Sequence, residues 1–136
     1  MKTCFIDTNL FIRYLTNDDP QKADRVEKLL EQAKSGKIRL VTAELVIAEV
    51  VWVLESAYGL KSNEIAPMIK AILGTPGLEV TNKALVGKAL NHYLVYNIDF
   101  IDGYIVALME RMNIPEVYSF DKKHLQKVTK IRRLEP

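Results

Sequence analysis

Cys4-Phe5-Ile6-Asp7-Thr8-Asn9 is an apolar run that stops at an acid and is followed by two small polar residues. Such a run reads as a buried β-strand, Thr3 to Ile6, that delivers Asp7 to its carboxyl end. Asn9 is placed to cap a following helix that carries Leu10, Phe11, Tyr14 and Leu15 at helical spacing. The same pattern returns far down the chain, where Val117-Tyr118-Ser119-Phe120 ends at Asp121. Ile38 to Val41 and Leu78 to Val80 are two further short apolar segments, and Thr129 to Arg132 is a candidate edge strand.

Helical patterns fill the spaces between these strands. Asp18-Asp19-Pro20 is a cap and first turn for a stripe of Ala23, Val26, Leu29, Leu30 and Ala33 that ends near Ser35-Gly36. Thr42 is a candidate cap for a helix over residues 43–58, closed by Gly59. That helix is apolar nearly all round, which predicts a place deep in the core or under a partner subunit. Ser62 opens a helix to Leu73 in which Pro67 predicts a kink or a late start. Gly74-Thr75-Pro76-Gly77 reads as a turn. Asn82 is placed to cap a helix to Tyr96, and Phe100 to Met112 forms one more. Strands alternating with helices predict an α/β fold around a parallel sheet, and no repeat or linker divides residues 1–136, so one domain is expected.

Composition narrows the class. Hydrophobic residues make up 49% and charged residues 26% of the 136, which is globular usage and excludes a disordered or fibrous chain. The lone cysteine, Cys4, has no partner for a bridge and sits in an apolar run, which points to a reducing compartment. The chain meets Asp7 before a signal-peptide core can form, and the greasiest stretch is interrupted by Glu49, so a cytoplasmic protein with no membrane span is expected. The formal net charge is +2, but residues 1–68 carry 9 basic and 10 acidic side chains while residues 69–136 carry 10 and 7. Lys122, Lys123, Lys127, Lys130, Arg132 and Arg133 supply most of that late excess, a distribution able to steer a polyanion.

In open α/β sheets ligands bind beyond the carboxyl ends of the strands. Asp7 and Asp121 are both delivered there, and Asp102 and Glu49 lie in early turns of helices able to reach the same edge. Four carboxylates in a small volume repel by roughly 4 kcal/mol per pair at 4 Å and an effective dielectric near 20, so such a cluster protonates or binds a cation. Hard oxygen donors suit Mg²⁺ or Mn²⁺, and the chemistry implied is phosphodiester hydrolysis by a metal-activated water. Each acid also has a structural reading. Asp99 is placed as a helix cap and Asp121 as a turn acid. Glu44 is a favoured first-turn carboxylate, and Glu49 needs a cation, a partner or water if buried. His92 and His124, 32 residues apart, read as surface or helix-packing residues rather than a zinc site. Trp52, Tyr93 and Tyr96 read as core or interface. No glycine-rich phosphate loop, Cys-x-x-Cys or nucleophile elbow is present.

Four segments in order, Phe5-Ile6-Asp7-Thr8-Asn9, Val46 to Leu54, Asp99 to Ala107 and Tyr118 to Lys123, resemble the successive acidic motifs of PIN-domain ribonucleases, at a length similar to that of VapC-type toxins. The resemblance implies a three-layer α/β/α sandwich with a parallel sheet and a Mg²⁺- or Mn²⁺-dependent endoribonuclease. It implies Asp7, Glu49, Asp102 and Asp121 as catalytic acids, with Asp7, Asp102 and Asp121 on the metal. Thr8, Asn9, Asp99 and Ser119 would be supporting polar residues. Gly103 stands where such sequences more often carry alanine. The resemblance further implies a homodimer and a cognate antitoxin in a type II toxin-antitoxin pair, with RNA as substrate. On this reading Lys122, Lys123, Arg132 and Arg133 guide the RNA backbone. Two rivals are a non-catalytic RNA-binding or interaction module on the same fold, and an aspartyl-phosphate phosphotransferase using Asp7.

Overall fold

In the computed structural model, which describes residues 1–136, Asp7 lies two residues past the first strand and starts the first helix. Its backbone is extended and its Oδ1 accepts the Thr8 N–H at 2.8 Å, so the cap is Asp7 and not Asn9. The chain folds as two compact units, residues 1–83 and 84–136.

The first unit runs β1 (Lys2–Phe5), α1 (Thr8–Thr16), α2 (Pro20–Lys34), β2 (Ile38–Thr42), α3 (Glu44–Ser56), α4 (Ser62–Leu73) and β3 (Leu78–Val80). Its strands lie side by side in the order β1-β2-β3, all parallel, with Cys4 opposite Leu40 and Leu40 opposite Leu78. Each crossover between parallel strands is made by a pair of helices, as the alternating pattern predicts. Asp19 caps α2 through the Lys22 N–H, with Pro20 in the first turn where its missing N–H costs no helical bond. Gly77 ends the turn before β3 with φ +79°, and a Cβ there would lie 2.2 Å from the Ala33 carbonyl oxygen, so only glycine lets this turn approach the end of α2.

Several expected boundaries shift. Thr42 is the last residue of β2 rather than a helix cap: it is fully buried and its hydroxyl donates to the Ile6 carbonyl at 2.9 Å. Residue 43 takes the cap position of α3 with no side-chain bond. Helix α4 runs through Pro67, and its start is held by Glu64, whose carboxylate accepts the Lys61 N–H. Of the two places expected for α3, deep in the core or under a partner subunit, burial within the chain covers one face only. Ile47, Val50, Val51 and Leu54 are buried, while Leu45 (76% exposed) and Trp52 (65%) face outward.

The second unit holds α5 (Lys83–Tyr96), α6 (Phe100–Met112), β4 (Glu116–Tyr118), a one-turn 3₁₀ segment (Leu125–Lys127) and β5 (Arg132–Leu134). Helix α5 is not capped by Asn82, which takes a left-handed conformation and donates its side-chain amide to Glu44. Its end is at Asn97, again left-handed, and Asn113 ends α6 in the same way. Gly103 brings α6 against α5: a Cβ there would lie 2.6 Å from the Ala89 carbonyl oxygen. Strands β4 and β5 pair in parallel as a separate two-stranded ladder, Glu116 opposite Arg132 and Tyr118 opposite Leu134; β4 stops at Tyr118, three residues short of Asp121, and β5 starts three residues later than the expected edge strand. Ile98, Val106, Leu125 and Val128 form the core of this unit, flanked by Tyr96, Val117 and Ile131.

Candidate metal centre

The acids are best followed unit by unit. In the first, Asp7 is exposed at the carboxyl end of β1 with its Oδ1 on the Thr8 amide, and Thr8 itself is buried. Asn9 lines an open groove with Leu10, Arg13, Lys22, Arg25, Val26 and Leu29. Glu49 lies on the outward face of α3 beside Leu45 and Trp52, where water solvates it; the apolar sequence around it does not bury it. Glu44 is structural as expected, accepting from the Thr81 hydroxyl and the Asn82 amide.

In the second unit three groups converge. The Nδ1 of His124 stands 3.1 Å from Oδ2 of Asp102 and 3.3 Å from Oδ2 of Asp99, and one ligand atom from each of the three residues lies within 4.8 Å of the others. Asp102 is in the first turn of α6 and Asp99 at its cap position. Asp99 has the extended backbone of a cap but makes no capping bond, so its carboxylate is left for His124. Burial, followed by the charge of Asp121, holds the Asp102 carboxyl above its ordinary range; His124 opposes that shift and the Asp99 charge adds to it.

Asp121 also organises the chain around it. Its carboxylate accepts the backbone N–H groups of Leu125 at 2.7 Å, His124 at 3.1 Å and Lys123 at 3.1 Å, and Ser119 Oγ accepts the Asp121 N–H at 3.0 Å. These bonds, led by that from Leu125, lower its pKa and keep it ionised. They also fold the chain into the turn that carries His124 toward α6.

His124 is the residue that sequence reading passed over. Its signal is the interval from Asp121: an acid followed by three backbone donors forms a capped turn, and the third residue of that turn is the histidine. The other histidine, His92, pairs through Nε2 with Glu110 at 2.5 Å and packs on Tyr96, the helix-packing role expected of it.

Of the basic residues expected to guide RNA, Lys122 and Lys123 are exposed without ion pairs. Arg132 pairs with Glu116 at 3.5 Å, and Arg133 is committed to the Ser119 carbonyl at 2.6 Å and Glu135 at 2.8 Å.

Residues 4–131 match the model of the PIN domain family. The chain belongs to the PIN domain family. Its α/β fold with parallel strands is therefore the PIN fold class, as the four acidic segments implied. A VapC ribonuclease from Aquifex aeolicus (strain VF5) is similar, 25% identical over 118 residues that cover 87% of each chain. The crystal structure of Mycobacterium tuberculosis VapC20, described as a sarcin-ricin loop cleaving toxin, aligns over 88% of this chain and 91% of that one with 18% identity and a TM-score of 0.42. PIN nucleases work with divalent cations, and two carboxylates plus an imidazole at these separations are a donor set that fits one. No helix of this PIN protein is long and apolar enough to cross a membrane.

Proposed function

We propose that this protein is a divalent-metal-dependent endoribonuclease that hydrolyses RNA phosphodiester bonds, acting in the cytoplasm as the toxin of a type II toxin-antitoxin pair, as a homodimer restrained by a cognate antitoxin. The observation that carries the reading is the meeting of Asp99, Asp102 and His124 in a chain matched over residues 4–131 by the PIN family. The similarity to a VapC ribonuclease supports the toxin part of it.

Asp102 would hold Mg²⁺ or Mn²⁺ with Asp99 beside it. A cation there supplies charge neutralisation at the scissile phosphate and lowers the pKa of an attacking water. Asp121, itself kept ionised, holds the neighbouring turn in place and is proposed with Asp102 as an acid of the reaction. Asp7 and Glu49 are proposed as further acids of the reaction on their sequence pattern, and Thr8, Asn9 and Ser119 as polar support. Lys122 and Lys123 carry the electrostatic attraction for the RNA backbone.

The test is cleavage of a short labelled RNA by purified protein with Mg²⁺, with Mn²⁺ and with chelator. Cleavage should need the metal and fall at least about 100-fold in Asp102→Asn and in Asp7→Asn, as expected when a group acting at the reacting centre is removed, while circular dichroism stays unchanged. Full activity of both variants would overturn the assignment of these acids, and absence of metal-dependent cleavage by the wild type would favour a non-catalytic RNA-binding module.

A further inference from the structure

Asp99 and Asp102 are held next to a nitrogen, not only next to other oxygens. The His124 ring sits 15% exposed, and its Nδ1 faces both carboxylates at 3.1 and 3.3 Å. In an octahedral site with bonds near 2.1 Å, neighbouring ligand atoms lie about 3.0 Å apart, so both separations correspond to edges of such a shell. The backbone that carries the ring is anchored. The backbone N–H of His124 is tied to Asp121, and the next residue, Leu125, is tied to Asp121 and buried among Ile98, Val106 and Val128. Asp99 adds an independent sign: it forgoes a capping bond that is typically worth about 1 kcal/mol and turns its carboxylate to the imidazole instead.

We infer that His124 Nδ1 is a direct ligand of the cation, giving a one-histidine, two-carboxylate face that favours Mn²⁺ over Mg²⁺. The inference rests on the proposal that this cluster holds the metal and specifies which ion and through which atom. The chemistry follows from donor type. Mg²⁺ takes oxygen ligands and sheds water reluctantly, whereas first-row transition ions accept imidazole nitrogen, so a nitrogen donor adds affinity for Mn²⁺ that it does not add for Mg²⁺.

The measurement is electron spin-echo modulation of the Mn²⁺-loaded protein, which reports coupling to a coordinated ¹⁴N, paired with calorimetric titration by Mn²⁺ and by Mg²⁺. The wild type should show ¹⁴N modulation and bind Mn²⁺ at least about 10-fold more tightly than Mg²⁺, a ratio of the size that changes around metal ligands produce. His124→Gln, which keeps a polar side chain but no imidazole, should lose the modulation and most of that ratio, and His92→Gln should keep both. Mn²⁺ that binds in an Asp102-dependent way without ¹⁴N modulation overturns the inference and leaves the nuclease reading standing. So does modulation that survives in His124→Gln. If neither metal binds, or if binding is indifferent to Asp102→Asn, both fall together.

Discussion

Two carboxylates of the second unit respond to pH in opposite senses, and the difference comes from what each one faces. Asp121 accepts three backbone N–H groups, which lower its folded-state pKa below the ordinary 3.8. Its contribution to stability is therefore present above the ordinary value and lost as pH falls through the folded one. Asp121→Ala should destabilise the protein at pH 7 by about 1 to 2 kcal/mol, the range for losing an acidic cap, and the deficit should shrink in urea unfolding as the buffer is taken below pH 4. Asp102 is held above its ordinary range by burial and by the charges of Asp121 and Asp99. Its ionisation costs the metal-free fold stability above the folded-state pKa, and protonation relieves that cost as pH falls through it. Metal-free Asp102→Asn should thus melt higher than wild type at pH 7, with the gap closing on acidification and reversing when Mn²⁺ is added. Asp102 and Asp99 were legible as candidates because acids beside an apolar helix start are conspicuous. His124 was not, because its meeting with Asp102 spans 22 positions and depends on the Asp121 turn.

Elements were legible where local rules act and displaced where a distant partner intervened. Asp19-Pro20 starts α2 as its cap chemistry predicts. Thr42 and Asn82 look equally like caps, yet each gives its side chain to a group nearly forty residues away, Ile6 and Glu44 respectively. The breadth of α3's apolar surface suggested a place in the core or under a partner subunit; packing within the chain occupies one face and leaves Leu45, Glu49 and Trp52 outward. Gly103 shows the reverse case, a glycine inside a helix that only packing explains. Alanine there gains about 1 kcal/mol of helix propensity but sets a methyl 2.6 Å from the Ala89 carbonyl oxygen, so the helices must part. Overpacking of this kind costs typically 1 to 3 kcal/mol. Gly103→Ala should therefore be net destabilising, with a lower urea midpoint and an unchanged slope.

Across the whole molecule, charge divides into cations that are paired and cations that are free. Arg13 pairs with Asp18, Arg39 with Glu79, and Arg133 with Glu135, so these arginines act within the fold. Lys122 and Lys123 have no such partners and follow directly on Asp121. If they meet RNA phosphates, replacing both by alanine should reduce the salt dependence of single-stranded RNA binding by about 1.4 in log–log slope, at roughly 0.7 per phosphate neutralised. Arg133→Ala should instead lower thermal stability, since it removes bonds to the Ser119 carbonyl and Glu135. By itself the sequence determined the α/β class, the placement of Asp7 just past the first strand, and the family, because most strands and helices are dictated by neighbours along the chain. Tertiary structure alone decided that His124 stands between Asp99 and Asp102, that Asp121 serves backbone amides, and that Glu49 faces water. Those outcomes depend on which surfaces pack, and packing brings together residues whose separation in sequence carries no mark of their meeting.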